Sequence, residues 1–190
     1  VDDEATGTLS VTGTAEEAGS LTASLSSVSD PDGATTTAYQ WQISDDFSTG
    51  WSNLGGATSA SYSIASDQSQ VGKYLRVLAT TTDALGGITV FASEPGLIAN
   101  VNDAPLMGKP SAPAFFNTTA NDTFAVVSGT LLTSDPDNDV LVYSVSGGSD
   151  DGTTVSLIGN YGTLSVTKAT GAWIYTPDDA SIEAVNANAA

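Results

Sequence analysis

Apolar and polar residues alternate with a period of two along most of this chain, in short runs that stop at glycine, asparagine, aspartate, serine or proline. In "AYQWQI", Tyr39, Trp41 and Ile43 share one face while Gln40 and Gln42 share the other. Leu21, Ala23 and Leu25 repeat the pattern, as do Leu75, Val77 and Ala79. Further on, Leu141, Tyr143 and Val145 make one face, followed by Val155 with Leu157, Leu164 with Val166, and Trp173 with Tyr175. A strand turns successive side chains to opposite faces, so this period predicts half-buried strands and excludes a helical protein. Turn signals such as "DPDG", "NLGGAT", "SGGSDDG" and "KATGA" separate the runs, which points to an all-β sandwich. The exception is "DDASIEAVNA" at residues 178–187, which predicts one short helix with Asp178 or Asp179 as its cap.

A core is affordable: 40% of the 190 residues are hydrophobic and only 14% are charged. The charges are lopsided, with four Lys+Arg against 22 Asp+Glu and no His, for a net −18. Such a field repels nucleic acid and anionic membrane surfaces and attracts cations. Without cysteine or histidine there is no disulfide, no zinc site of the usual kind and no Ser–His–Asp triad. No apolar run reaches the roughly 18 residues of a membrane span. The opening "VDDEATG" has no basic and apolar stretch of a secretion signal, so an exported protein would carry its signal outside this sequence.

Two features recur at about the spacing of one small domain. "SDPD" stands at residues 29–32 and again at 134–137, and "VDD" at the start is echoed by "VND" at residues 101–103. Together they mark an internal repeat. "NVNDAP" at residues 100–105 divides the copies, and the prolines of "LMGKPSAPA" suit an extended linker rather than a central strand. The expected division is therefore 1–103 and 104–190.

The first part, with "GTLSVTGTAEEAGSLTAS", "YQWQIS", "SYSIASDQSQVGKYLRVLATTTDALGG" and "VNDAP", resembles the bacterial Ig-like repeats of very large surface adhesins. The second, "LLTSDPDNDVLVYSVSGGSDDGTTVSLIGNYGTLSVTKATGAWIYTPDDASI", resembles the VCBS-type, cadherin-like repeat of RTX adhesins. The resemblance implies two tandem Ig-like/cadherin-like β-sandwich domains on an extracellular bacterial surface, with calcium stiffening the linkers. Such a repeat continues with two further strands after "TPDDA", so the second domain is expected to lack its last strands.

Strand parity places the acids. Alternating strands bring the second and sixth turns of a seven-stranded sandwich to the end where the chain comes in, and the first and fifth to the end where it leaves. Asp30, Asp32 and Asp83 should then lie beside Asp2 and Asp3, while Glu17 and Asp67 should lie beside Asn100, Asn102 and Asp103. In the second domain Asp135, Asp137 and Asp139 belong to the turn facing the same linker. A hard cation takes roughly six to eight oxygens. Glu17, Asp67, Asn100, Asn102, Asp103, Asp135 and Asp137 offer enough for Ca²⁺ at the linker, with a second candidate at the Asp2/Asp3 end. The plainer reading is that "SDPDG" is simply a good turn on an acidic surface.

Three functional expectations follow. The first is a non-enzymatic extender segment of a cell-surface or biofilm adhesin, partnered by neighbouring repeats. The second is a carbohydrate- or surface-binding module acting through loop aromatics such as Trp51 and Phe47. The third is a subunit whose open sheet edge takes a strand from another chain, giving a filament. Adjacent carboxylates at Asp45/Asp46, Asp150/Asp151 and Asp178/Asp179 could in principle serve a glycosidase, but neighbours in a turn point apart and no cleft is evident, so an enzyme is not expected.

Overall fold

The computed structural model describes residues 3–118 and 120–187, and the chain divides into two compact units, 1–102 and 103–190. Strands in both are antiparallel and the single helix is short, so the protein is all-β with sandwich-type sheets. No helix among the described residues is long and apolar enough to cross a membrane.

In the first unit β1 (Thr6–Gly13), β2 (Ser20–Ser29) and β5 (Ser61–Ser63) form one sheet. The facing sheet runs β4 (Ser52–Asn53), β3 (Thr36–Ser44), β6 (Tyr74–Thr82) and β7 (Ile88–Ala92), with β8 (Gly96–Leu97) also paired to β6. A parallel bridge from Glu16 to Ala99 ties the first strand region to the last, which closes one edge of the sandwich. The period-two pattern does what it predicts. Leu21 and Ala23 from one sheet meet Trp41, Leu75 and Val77 from the other, and Ile64 and Ile98 complete the cluster. Trp41 is wholly buried, stacks on Tyr62 at 5.6 Å, and its Nε1 donates to the Ser59 carbonyl at 3.0 Å. Its polar atom is therefore satisfied at no loss to the packing.

The second unit pairs β9 (Leu106–Met107) with β11 (Thr133–Ser134), and builds one five-stranded sheet in the order β10 (Val127–Thr130), β15 (Ala172–Pro177), β14 (Gly162–Thr167), β13 (Thr154–Gly159), β12 (Ser149–Asp150). Val155, Val166 and Trp173 lie opposite one another across three strands, so their side chains share one face. Val155 and Val166 are buried. Helix α1 (Asp179–Ala187) forms where the sequence predicts it. Asp178 caps it, accepting from the Ser181 N–H at 3.2 Å and the Ser181 hydroxyl at 2.9 Å.

One strand expectation needs correcting. Residues 140–145 are not part of any ladder. They are extended all the same, because Leu141, Tyr143 and Val145 are half-buried while Val142 and Ser144 are exposed. The alternation encodes the two faces, but a ladder needs a neighbouring backbone on each edge. Here Tyr143 N–H donates to the Lys168 carbonyl at 2.9 Å, and the Val145 carbonyl accepts from Gly148 N–H in the following turn at 3.0 Å.

Candidate functional site

The two copies of "SDPD" fold into the same turn. Asp30 and Asp135 each bend a carboxylate back onto the chain: Oδ1 accepts from the N–H of Asp32 at 2.8 Å and of Asp137 at 2.9 Å. This is the Asx turn that an aspartate before a proline favours. The carbonyls of Asp30 and Asp135 then accept from Gly33 and Asn138, both at 3.2 Å. Gly33 has φ +118° and Asn138 φ +59°. Glycine and asparagine are the residues that tolerate positive φ most readily, which is why the fourth position can differ while the hydrogen bonds of the turn stay the same.

The third correspondence is a latch on the segment leading into each unit. Asp32 Oδ2 accepts from the backbone N–H of Asp3 at 2.7 Å, and Asp137 Oδ2 accepts from that of Asp103 at 2.5 Å. The sequence pairs these residues as side-chain neighbours; a carboxylate oxygen of Asp103 does stand within 4.8 Å of one of Asp137's, and the structure uses Asp3 and Asp103 through their backbone as well. The recurring "VDD" and "VND" were the available signal, but side-chain reasoning does not show which atom of a residue is used.

Around each turn, carboxylates collect. Asp30, Asp32 and Asp83 each place an oxygen within 4.8 Å of the others', and so do Asp135, Asp137 and Asp139. Asp83 comes from the turn between β6 and β7 and is buried. Its Oδ1 accepts from the Leu85 N–H at 2.6 Å and the Gly87 N–H at 3.0 Å, so the loop is folded around the carboxylate. Asp139 follows directly on its own turn, and its N–H donates to Asp135 Oδ1 at 3.3 Å. Oxygens that share a cation at about 2.4 Å can stand no more than about 4.8 Å apart, so either trio has the spacing of a common hard-cation site. Of the chain's four bases, three are engaged elsewhere. Lys73 lies 3.9 Å from Asp45, Lys168 lies 2.6 Å from Asp150, and Arg76 donates to Gln42 and covers the Trp51 ring at 4.2 Å.

The other predicted residues have their own surroundings. Glu17 is buried, and its Oε2 accepts from Gln68 Nε2 at 3.2 Å and from the Val101 N–H at 3.5 Å. Asp67 belongs to no carboxylate trio among the described residues. It is exposed, and the hydroxyl and N–H of Ser69 hold it below the usual 3.8 for an aspartate. Asn100 and Asn102 are exposed. Asp2 lies outside the described residues.

Of the adjacent carboxylates, Asp46, Asp150, Asp151 and Asp178 accept hydrogen bonds within their own turns, while Asp179 accepts from the Phe124 N–H at 3.1 Å. Asp46 is held below 3.8 by the N–H and hydroxyl of Ser48 and the N–H of Thr49. Lys168 and the Gly152 N–H lower Asp150, and the N–H groups of Thr154 and Thr153 lower Asp151. The Ser181 hydroxyl and N–H lower Asp178. Each is tied to its own turn by hydrogen bonds that favour the anion. Among the aromatics, Trp51 has one face taken by Arg76, while Phe47 is 54% exposed with its ring edge-on to Tyr74.

The fold and these turns define an all-β protein built from two units that share one acidic turn motif. No protein-family model matches the chain, and no curated protein does.

Proposed function

We propose that this is a non-enzymatic extender segment of a bacterial surface adhesin, in which Ca²⁺ bound at the acidic turn of each unit fixes the residues leading into that unit. The supporting observation is the matched geometry of the two "SDPD" turns: the same aspartate that belongs to a carboxylate trio also holds the backbone of the incoming segment. Two of the first trio are half-buried and the third is buried, in a chain with a net charge of −18. Like charges brought this close are costly, and a divalent cation removes that cost while a monovalent one does so only weakly. Backbone carbonyls and water complete its shell. Repulsion within each trio loosens the latch when calcium is absent, and the incoming segment then moves freely. Extension, rather than catalysis, is the use such a module serves, and an extracellular setting supplies calcium in the amounts that modest sites need.

Isothermal titration with Ca²⁺, using Mg²⁺ as the control, tests the reading. Calcium uptake is expected, lost in part in Asp83→Asn and in part in Asp139→Asn, with amide exchange at Asp3 and Asp103 slowed by calcium. No heat with calcium, and exchange at these two amides unchanged by chelator, would exclude it.

A further inference from the structure

Arg76 is the only arginine of the chain, set among 22 Asp+Glu, yet it forms no ion pair among the described residues. It stands on β6 opposite Gln42 of β3, and Gln42 stands opposite Asn53 of β4. Residues paired in this way share a face, so the three side chains make one row across three strands. Arginine has no acceptor, and that fixes the polarity of the whole row. Arg76 Nε donates to Gln42 Oε1 at 2.8 Å, and Gln42 Nε2 donates onward to Asn53 Oδ1 at 2.8 Å. Both amide oxygens are thereby engaged. What the row has left is donors: the Nη groups of Arg76, the second hydrogen of Gln42 Nε2, and Nδ2 of Asn53. None of these meets an acceptor among the described residues. Trp51 lies against the guanidinium at 4.2 Å and Gln42 holds its Nε, so the Nη edge is fixed in direction. Arg76 and Gln42 are half-buried and Asn53 is exposed, so the row opens to solvent.

A row of donors selects acceptors, and charge selects among them. The strands of this sheet, β3, β4, β6, β7 and β8, contain no aspartate or glutamate. The first acids beyond β3 are taken: Asp45 faces Lys73, and Asp46 is tied to Ser48 and Thr49. Charges more than about 10 Å away are largely screened. The guanidinium thus attracts an anion, but in a chain at −18 a ligand with one charge is favoured over one with several. A carboxylate fills the Nη edge with its two oxygens. Neighbouring strands lie about 4.8 Å apart, so the donors of Gln42 and Asn53 need further oxygens on the same ligand. Tyr74 shares the face of Arg76 on β6 and carries the exposed ring of Phe47 edge-on, which gives apolar surface for the carbons between those oxygens. We infer that Arg76, Gln42 and Asn53 bind a sugar acid, with its carboxylate on Arg76 and its hydroxyl oxygens on the two amides. All of these residues lie in the first unit, and the site does not involve calcium.

The test is a titration of the whole chain with glucuronate in calcium-free buffer, followed by NMR of the side-chain N–H groups. Shifts are expected at Arg76 Nε–H, at the amide groups of Gln42 and Asn53, and at the Trp51 indole N–H. Glucose, which lacks the carboxylate, should give none. Acetate and a capped aspartate, which lack the hydroxyls, should bind about tenfold more weakly, the size of one or two lost hydrogen bonds. Arg76→Lys keeps the charge but loses the paired donors, and should weaken glucuronate about tenfold. Gln42→Glu gives Arg76 a carboxylate of its own and should abolish binding, while unchanged amide signals at Leu21 and Ala23 report that the facing sheet is intact. No shift at Arg76 with glucuronate, or binding that survives Gln42→Glu, overturns the proposal. An equal response to glucose overturns it too, and so does an equal response to capped aspartate, because an acidic peptide would then serve as well. Since the buffer holds no calcium, these outcomes are separate from the calcium reading.

Discussion

Single residues decide most where they serve two purposes at once. Asp137 belongs to a carboxylate trio and also holds the N–H of Asp103. Asp137→Ala removes a charge-assisted bond and is expected to cost about 1–3 kcal/mol in calcium, read by urea denaturation, with exchange at Asp103 speeding up. In chelator the loss should shrink, because the same substitution relieves repulsion within the trio. Trp41 illustrates a different kind of weight. It is fully buried between the two sheets of the first unit, so Trp41→Ala should cost about 3–5 kcal/mol and lower the denaturation midpoint of that unit. Both residues were legible in the sequence, Trp41 from its alternation and Asp137 from its repeat. The backbone role of Asp3 and Asp103 was not, because residue identity carries no information about which main-chain group faces a carboxylate.

At the level of elements, turns carry as much of the specificity as strands do. Gly171 has φ +66°, and a Cβ there would lie 2.7 Å from the Tyr143 ring. Gly171→Ala is therefore expected to destabilise the second unit by about 1–3 kcal/mol and to speed exchange at residue 143, measured by denaturation and amide exchange together. The Asp46, Asp67, Asp150, Asp151 and Asp178 turns titrate in one direction. Their folded values lie below 3.8, so their contribution is complete above that pH and is lost as the pH falls through the lower folded values. Thermal melting followed downward from about pH 5 should show stability falling below about pH 4. A flat melting temperature across that range would contradict the assignment. The strand "VLVYSV" shows the limit of pattern reading. Its faces follow from alternation, but its missing ladder depends on whether another backbone lies beside it.

For the whole molecule, the dominant quantity is the net charge of −18 spread over both units. Under the calcium reading, an ion that binds only the folded chain raises stability by mass action, about 2.7 kcal/mol when free calcium is a hundred times its dissociation constant. The melting temperature should thus climb with calcium, and Asp83→Asn should remove part of that rise; a temperature unmoved by calcium would count against it. The sequence alone determined the all-β class, the strand faces, the helix with its cap and the repeated acidic turn, because period, turn chemistry and capping are local properties of the chain. Only the tertiary structure decided that the N–H groups of Asp3 and Asp103 face the turn carboxylates, that Arg76 covers Trp51, and that residues 140–145 join no ladder among the described residues. These are meetings of residues distant along the chain, and they depend on how the backbone closes on itself in space.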